Sequence, residues 1–177
     1  VTSTDGTITR RITDPAAPGY EVAVVASPSY LVLGLDPDGQ LDHVALMSVA
    51  ADDAGGTVLL VPAETLVRRN LRLLDVHRAD GDDAVRAAVS DLLQVGLDAM
   101  SVLDEDSWRT LLEPVGPLTM EITEDLVRAD PDGSGAEETR WQAGSIMVAP
   151  TEVSAFLGWI NPREDRFNRL RRQEEVW

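Results

Sequence analysis

The stretch that decides the fold is Tyr30-Leu31-Val32-Leu33-Gly34-Leu35, followed directly by Asp36-Pro37-Asp38-Gly39. An uncharged, largely apolar run that stops at Asp, Pro and Gly residues predicts a buried strand entering a tight turn. Further runs of this kind, bounded by turn signals, are Glu21–Ala26, Val44–Val49 and Thr57–Val61. We therefore predict four strands in this part of the chain, most of them connected as hairpins.

Helical periodicity begins beyond these strands. Asp82–Gln94 places its apolar residues on one stripe, which predicts an amphipathic helix. After it we predict two strands, Leu97–Leu103 and Leu118–Thr123. We also predict three helices. The first is Glu105–Leu112 with Asp104 as a candidate N-cap, the second runs from Thr151, its cap, to about Trp159, and the third is an arginine-rich helix after Pro162. Ala129–Glu138 is predicted to be an exposed loop. The mixture predicts an α/β (α+β-like) fold, in which helices flank a mixed central β-sheet.

Composition narrows the function. The 177 residues carry a formal net charge of −16, and all 15 basic side chains are arginine. So acidic a chain argues against a nucleic-acid partner, which requires a basic surface. The chain has no cysteine, which excludes disulfides and thiolate chemistry, and no lysine, which excludes a P-loop nucleotide site. We expect residues 1–19 to be a lead-in segment and 20–177 to be one domain.

Five of the 15 arginines fall between Arg163 and Arg172. In a helix, Arg166, Arg169 and Gln173 lie at i, i+3 and i+7 and share one face. Guanidinium groups bind phosphate through paired hydrogen bonds, so this face predicts a phosphate-bearing ligand. The alternatives are a solvated basic helix end, or arginines paired with neighbouring acids.

Four stretches resemble the LytR–CpsA–Psr family of bacterial cell-envelope proteins, and the resemblance covers roughly Tyr30 to Trp177. They are Leu31–Asp36, similar to a first strand ending in aspartate; Leu41–Val49, similar to a Ser-Asp-Thr strand; Leu92–Ile122, with a strand ending in Asp104; and Arg166–Val176, similar to an Asp-Phe-Gly-Arg-x-x-Arg-Gln run through Phe167, Arg169, Arg172 and Gln173.

The resemblance implies an extracytoplasmic, membrane-anchored protein that acts on a glycopolymer linked to a polyprenyl phosphate or pyrophosphate carrier. Such proteins join the glycopolymer to peptidoglycan through a phosphodiester, with Mg²⁺ on the pyrophosphate. Asp36 and Asp42 match the metal-side aspartates, although Asp36–Gly39 also suits a plain hairpin turn. Arg169 matches a catalytic, phosphate-binding arginine. Arg166 and Arg172 fall in the same phosphate-side region, where Arg172 and Gln173 alternatively brace the helix.

Several positions depart from the family pattern. Val61-Pro62-Ala63-Glu64 stands where Ile-Pro-Arg-Asp is expected, so an alanine replaces an active-site arginine. The Tyr-x-Arg-x-Arg strand is also lost, since the nearest stretch, Phe156–Ile160, has no arginine. Arg68, Arg69 and Arg72 are candidates to supply the missing charge, or they form an exposed helix face.

Two functions follow from these features. One is a carrier-binding domain of the transferase type, which we expect to be truncated at its C-terminus and degenerate in catalysis. The other is a non-catalytic scaffold that binds protein partners in the cell envelope. An arginine among Arg68, Arg69 and Arg72 that shares a cleft with Arg169 and keeps the cleft basic would favour the first. A cleft that is neutral or filled by apolar side chains would favour the second.

Overall fold

A computed structural model of the chain describes residues 16–18, 27–50, 55–67, 70–129, 137–162, 167 and 169–177. The predicted strand Glu21–Ala26 lies outside these residues, as do Arg68, Arg69 and Arg166. The strands are β1 (Ser29–Leu35), β2 (Leu41–Val49), β3 (Gly56–Pro62), β4 (Ala99–Leu103), β5 (Leu118–Ile122), β6 (Leu126–Ala129), β7 (Glu137–Trp141) and β8 (Gly144–Val148). The helices are α1 (Leu73–Asp80), α2 (Asp82–Leu93), α3 (Glu105–Leu112), α4 (Val153–Gly158) and α5 (Arg169–Val176).

The central sheet has the strand order β3-β2-β1-β4. The strands β1, β2 and β3 are antiparallel neighbours, whereas β4 pairs parallel to β1 after the α1–α2 crossover. Two further pairs, β5 with β8 and β6 with β7, form two-stranded antiparallel sheets. The prediction of a mixed central sheet flanked by helices is therefore confirmed.

Two hydrophobic clusters hold the helices against these strands. The first contains buried residues of the central sheet and of α1 and α2, among them Leu31, Leu33, Val44, Leu73, Val85 and Val89. The second contains Trp108, Met120, Ile122, Leu126, Trp141, Val148, Val153, Phe156 and Leu157. Large aliphatic and aromatic side chains each contribute a few kcal/mol when buried, so these clusters fix where the helix ends lie.

The β1–β2 hairpin places a polar pair inside the sheet. Gly34 lies opposite His43 in the register, and a Cβ on Gly34 would collide with the His43 ring. The absence of a side chain at Gly34 therefore lets a fully buried imidazole lie against β1. Successive residues of a strand start on opposite faces, but the Asp42 carboxylate still comes within 3.3 Å of the His43 ring.

Two predictions about local structure differ from what the structure describes. Most of the predicted loop Ala129–Glu138 lies outside the described residues, but its two ends belong to paired strands, since β6 ends at Ala129 and β7 begins at Glu137. Glu138, Thr139 and Arg140 of β7 are exposed, and this polar run hides the alternation typical of strands. Thr151 does not cap a helix: it lies within a 3₁₀ turn, Pro150–Glu152, and Glu152 precedes α4 without a side-chain cap.

The helix α1 was also missed. Its first amides are held by tertiary partners, because Leu73 N–H and Leu74 N–H donate to the carbonyls of Thr65 and Ala63. These bonds attach the start of α1 to the segment that follows β3, so local sequence alone did not indicate the helix. Within the described parts of the chain, no helix is long and apolar enough to cross a membrane.

The cap of α3 is as the sequence predicted. The Asp104 carboxylate accepts a hydrogen bond from Ser107 N–H at 2.8 Å. The Ser107 side chain, and then this N–H, lower the pKa of Asp104 below its ordinary value. A lowered pKa means that this contribution to stability is present above the unfolded-state pKa and is lost as the pH falls through the folded-state pKa.

Replacing the cap tests this account. We expect Asp104→Ala to lower the melting temperature at neutral pH by about 2–4 °C, because an N-cap oxygen is lost. Asp104→Asn keeps a capping oxygen and should lower it much less. Thermal unfolding followed by circular dichroism measures both. Equal losses in the two variants would show that charge, rather than the cap bond, stabilises α3.

Candidate functional site

A polar cleft of about 280 Å³ lies where the β1–β2 turn, the segment after β3, α1, α4 and α5 meet. Six charged side chains line it, namely Asp36, Asp42, Glu64, Arg72, Arg78 and Arg169. The structure thus brings together three residues predicted to form the site, Asp36, Asp42 and Arg169. It adds Arg72, which was a candidate, and Arg78, which was not.

Arg169 forms the floor of the cleft. Its guanidinium donates to Asp42 Oδ1 at 2.7 Å and to Glu64 Oε1 at 2.7 Å. The Arg169 side chain is only 6% exposed and that of Asp42 only 4%, so these charges are out of water. For Arg169, these ion pairs confirm the alternative in which the arginines of this helix pair with acidic side chains. In this structure, the predicted phosphate-binding group has two protein carboxylates as partners.

The two predicted metal-side aspartates border the same space. Asp36 Oδ1 accepts backbone N–H groups of Asp38 and Gln40 at 3.0 and 2.8 Å, as in a tight hairpin turn. A Cβ on Gly158 would lie 3.5 Å from Asp36 Cβ and 3.4 Å from Asp42 Cγ. The missing side chain of Gly158 therefore leaves room between the two aspartates.

Asp42 is also close to an imidazole. Its Oδ2 lies 3.3 Å from His43 Nδ1, while its Oδ1 accepts from Arg169. A carboxylate has about four lone-pair positions, so these two contacts leave Asp42 able to accept further bonds. Over the described residues, no group of three or more His, Cys, Asp or Glu side chains is arranged to hold a metal ion.

Arg72 reaches the cleft from the start of α1. Its Nε and Nη2 donate to the two oxygens of Asp75 at 2.8 and 2.9 Å. This paired hydrogen bond lowers the pKa of the Asp75 carboxyl and raises that of the guanidinium. Arg72 is 41% exposed, so its remaining N–H groups are open to the cleft. Of the three candidates for the missing charge, this one shares the cleft with Arg169.

Arg78 lies at the mouth of the cleft, at the other end of α1. Its Nη2 donates to Gln40 Oε1 at 2.6 Å, and its Nη1 is 3.9 Å from Asp75 Oδ1. Sequence reasoning missed this residue because α1 was not predicted. Once the helix is known, the spacing of Arg72, Asp75 and Arg78 at i, i+3 and i+6 indicates that they lie near one another.

Arg172 and Gln173 are buried on the face of α5 that also carries Arg169. Arg172 Nη2 donates to the carbonyl of Trp159, which joins α5 to the end of α4. This supports the bracing alternative for Arg172. It also shows that the interpretation of α5 as a solvated basic helix end was wrong, since both arginines on this face are buried.

The structure shows where the positions that depart from the family pattern lie. Ala63 is completely buried in the first hydrophobic cluster, whereas the adjacent Glu64 lines the cleft. Phe156–Gly158 belongs to α4 instead of a strand, and Phe156 and Leu157 pack in the second cluster. The cations of the cleft therefore come from helices α1 and α5.

The charges that line the cleft balance. Three carboxylates are matched by three guanidinium groups, so the formal charge of the lining is zero in a chain whose net charge is −16. Oppositely charged side chains held at hydrogen-bond distance create a site where a cation and an anion can bind side by side.

No protein-family model matches this sequence, and no curated protein is significantly similar to it. Solved structures do match. TagV of Bacillus subtilis superposes with a TM-score of 0.66 at 18% identity, over 85% of this chain and 61% of that protein. TagT of the same organism gives 0.64 at 18% identity, over 94% and 66%. A structure of TagT bound to LIIa-WTA gives 0.65 at 18% identity, over 99% and 68%.

This chain spans about 61% of the length of TagV, so the likeness concerns the part of that structure that it covers. At 18% identity, the superpositions establish the fold. TagV and TagT are LytR–CpsA–Psr proteins. The chain described above, with its mixed four-stranded sheet and its arginine helix closing a polar cleft, has the LytR–CpsA–Psr fold that four stretches of its sequence predicted.

Proposed function

We propose that the cleft binds the phosphate or pyrophosphate group of a polyprenyl carrier that is linked to a glycopolymer. The observation that carries the proposal is the arrangement of Arg72, Arg78 and Arg169 around a space bordered by Asp36 and Asp42. Guanidinium groups bind phosphate oxygens directly, and carboxylates bind the cations that accompany phosphates. That TagT, a protein of the same fold, is bound to LIIa-WTA supports the proposal.

A groove next to the cleft offers an apolar wall to a lipid ligand. This groove has a volume of about 630 Å³ and shares Asp36, Gly158 and Ile160 with the cleft. Val127, Ala155 and Trp159 form the apolar wall, and the charged residues Asp38 and Arg128 also line the groove. A ligand with a charged phosphate and an apolar tail would place the phosphate among the arginines and the tail along this wall.

The same carboxylates fit a magnesium ion as the accompanying cation. Magnesium in proteins is commonly held by one or two carboxylates, with water and substrate phosphate as its other ligands. Asp36 and Asp42 would hold it in the space above Gly158. Bound magnesium would supply positive charge that offsets the phosphate oxygens. Because the formal charge of the cleft lining is zero, we expect an anionic ligand to bind more tightly when a divalent cation is present.

Binding and transfer make different demands on this cleft. Transfer to peptidoglycan requires cations that stabilise charge in the transition state, and removal of one such group costs about 10²–10³ in rate. Ala63 is buried and has no charge, whereas Arg72 lines the cleft from α1. We therefore propose a carrier-binding domain of the transferase type, extracytoplasmic and membrane-anchored in its complete form, with slow transfer or none.

The alternative is a non-catalytic scaffold that binds protein partners of the cell envelope. It draws support from the zero formal charge of the cleft lining, which is the neutral cleft expected for this function. It draws further support from Arg169, whose guanidinium is already paired with Asp42 and Glu64. On this hypothesis, the cleft charges serve only to hold α5 on the sheet. The first function requires that the cleft bind a carrier and the second does not, so a carrier-binding measurement distinguishes them.

Thermal unfolding with a short polyprenyl pyrophosphate, with and without MgCl₂, tests the proposed function. A ligand that binds only the folded chain raises the melting temperature by mass action, and a concentration of 100 times Kd contributes about 2.7 kcal/mol. We expect a rise that requires magnesium and that shrinks in Asp36→Asn and in Arg72→Gln.

Two matched controls accompany this test. Asp106→Asn and Arg109→Gln each change one partner of an exposed ion pair on α3, whose residues line neither the cleft nor the groove. Both should behave like the wild type. If the carrier leaves the wild-type melting temperature unchanged at saturating concentrations, the carrier proposal is wrong and the scaffold function stands.

Arg169 requires a separate experiment, because its replacement affects the fold. Arg169→Ala removes the guanidinium that contacts the carboxylates of Asp42 and Glu64, and we expect the free energy of unfolding to fall by about 3–5 kcal/mol. Urea denaturation measures this loss. In the background Asp42→Asn with Glu64→Gln, Arg169→Ala should cost much less, and an equal cost in both backgrounds would contradict the ion-pair account.

A further inference from the structure

His43 is a buried histidine next to the cleft, and the proposed function gives it no role. Its side chain is 2% exposed and that of Asp42 is 4% exposed, and its Nδ1 lies 3.3 Å from Asp42 Oδ2. The Ser-Asp-Thr pattern of the family has a threonine where this chain has His43. Each nitrogen of a buried imidazole requires a hydrogen-bond partner, so the surroundings of the ring determine what it can do.

Three neighbours fix the plane of the His43 ring. The ring fills the space where a Cβ on Gly34 would lie. Its centroid lies 6.0 Å from that of the Trp108 ring and 6.4 Å from that of the Trp177 ring. Because buried side chains are closely packed, the ring cannot turn over without moving these neighbours. The two nitrogens of His43 therefore keep separate surroundings.

These surroundings favour a hydrogen on Nδ1. A carboxylate only accepts hydrogen bonds, so Nδ1 must carry a hydrogen to bond Asp42 Oδ2. The indole nitrogens of Trp108 and Trp177 are buried without a partner among the described residues, and an indole N–H can only donate. An Nε2 without hydrogen can accept from such donors after a small shift or through a bridging water. An Nε2–H, in contrast, has no acceptor among the residues that the structure describes.

The geometry excludes His43 as a general base in the cleft. A base must lie within hydrogen-bond reach of the proton that it removes, but Nε2 is buried and His43 does not line the cleft. Its hydrogen bond therefore serves Asp42. The Oδ1 atom of Asp42 accepts from Arg169 at 2.7 Å, and a single contact leaves the terminal torsion of an aspartate broadly defined. A second donor at Oδ2 fixes the plane of the carboxylate.

We propose that His43 is a positioning residue of the cleft, whose Nδ1–H donates to Asp42 Oδ2 and holds the Asp42 carboxylate in one orientation. The hydrogen bond involves this chain alone, whereas its consequence for a bound cation rests on the proposed function. A cation held by Asp36 and Asp42 binds more tightly when the orientation of its ligands is set beforehand. Groups that orient a metal ligand in this way typically contribute about tenfold to a hundredfold in affinity.

Nitrogen-15 NMR of the histidine rings tests the hydrogen bond directly. The chain has two histidines, so the resonances of His43 are assigned by their loss in His43→Asn. We expect Nδ1 of His43 to show the chemical shift of a protonated ring nitrogen and Nε2 that of an unprotonated one. A His43 Nδ1 that carries no hydrogen overturns the proposal.

The affinity for Mn²⁺, measured by electron paramagnetic resonance, tests the consequence for the cleft. Mn²⁺ prefers the same carboxylate and water ligands as Mg²⁺. His43→Phe keeps an aromatic ring and removes both nitrogens, and we expect it to weaken Mn²⁺ binding about tenfold to a hundredfold. His43→Asn keeps an N–H donor close to the position of Nδ1 and should restore most of the affinity. His77→Phe removes the other histidine, which lines neither the cleft nor the groove, and should leave the affinity unchanged.

The outcomes separate positioning from packing. If His43→Phe binds Mn²⁺ like the wild type, or if both His43 variants lose affinity equally, the N–H donor has no positioning role and the proposal is wrong. The outcomes also separate this proposal from the proposed function. If Mn²⁺ binding depends on His43 but the polyprenyl carrier causes no thermal shift, the carrier proposal fails and the positioning role stands. If the wild type binds no Mn²⁺, the proposed cation site is wrong, and the NMR result alone decides whether His43 holds Asp42.

Discussion

The buried guanidinium of Arg169 is the interaction on which the rest of the site depends. It joins α5 to β2 through Asp42 and to the segment after β3 through Glu64. Removing charges from water costs several kcal/mol for each ion, and only close, complementary pairing offsets that cost. Because Arg169 meets two carboxylates at 2.7 Å, the arginine helix can lie with this face against the sheet. Without the pairing, such a helix would be expected to stay in solvent.

This pairing also determines what the other charges can do. Arg169, at the floor of the cleft, contacts two carboxylates, and Arg72 contacts one, that of Asp75. Arg78, at the mouth, donates to the neutral amide of Gln40. The positive charge of the guanidinium groups is therefore least neutralised at the mouth. Ala63, which follows β3 where the family pattern predicts an arginine, is packed in the hydrophobic interior. In this chain the cleft receives its guanidinium groups from the start of α1, from α1 itself and from α5.

Strong local signals explain what the sequence predicted well. The apolar runs that became β1, β2 and β3, the amphipathic stripe of α2 and the Asp104 cap each depend on neighbouring residues, so periodicity and capping chemistry suffice to identify them. In the same way, the aspartates at the β1–β2 turn and the arginine face of α5 predicted three of the six charged side chains of the cleft, namely Asp36, Asp42 and Arg169. What escaped prediction depends on tertiary contacts. The helix α1 starts on carbonyls after β3, and β7 is exposed, so neither carries a clear hydrophobic pattern.

The separation of Arg169 from its partners along the chain has a consequence for how the molecule folds. Arg169 lies 127 residues from Asp42 and 105 from Glu64. Contacts between such distant residues close very long loops, and they form after local hairpins and helices because their entropy cost is recovered only when the intervening chain is ordered. We therefore expect the cleft to be completed late in folding. Asp42 and Glu64 gain the guanidinium of Arg169 only when α5 docks, so the docking of this one helix supplies the floor of the cleft.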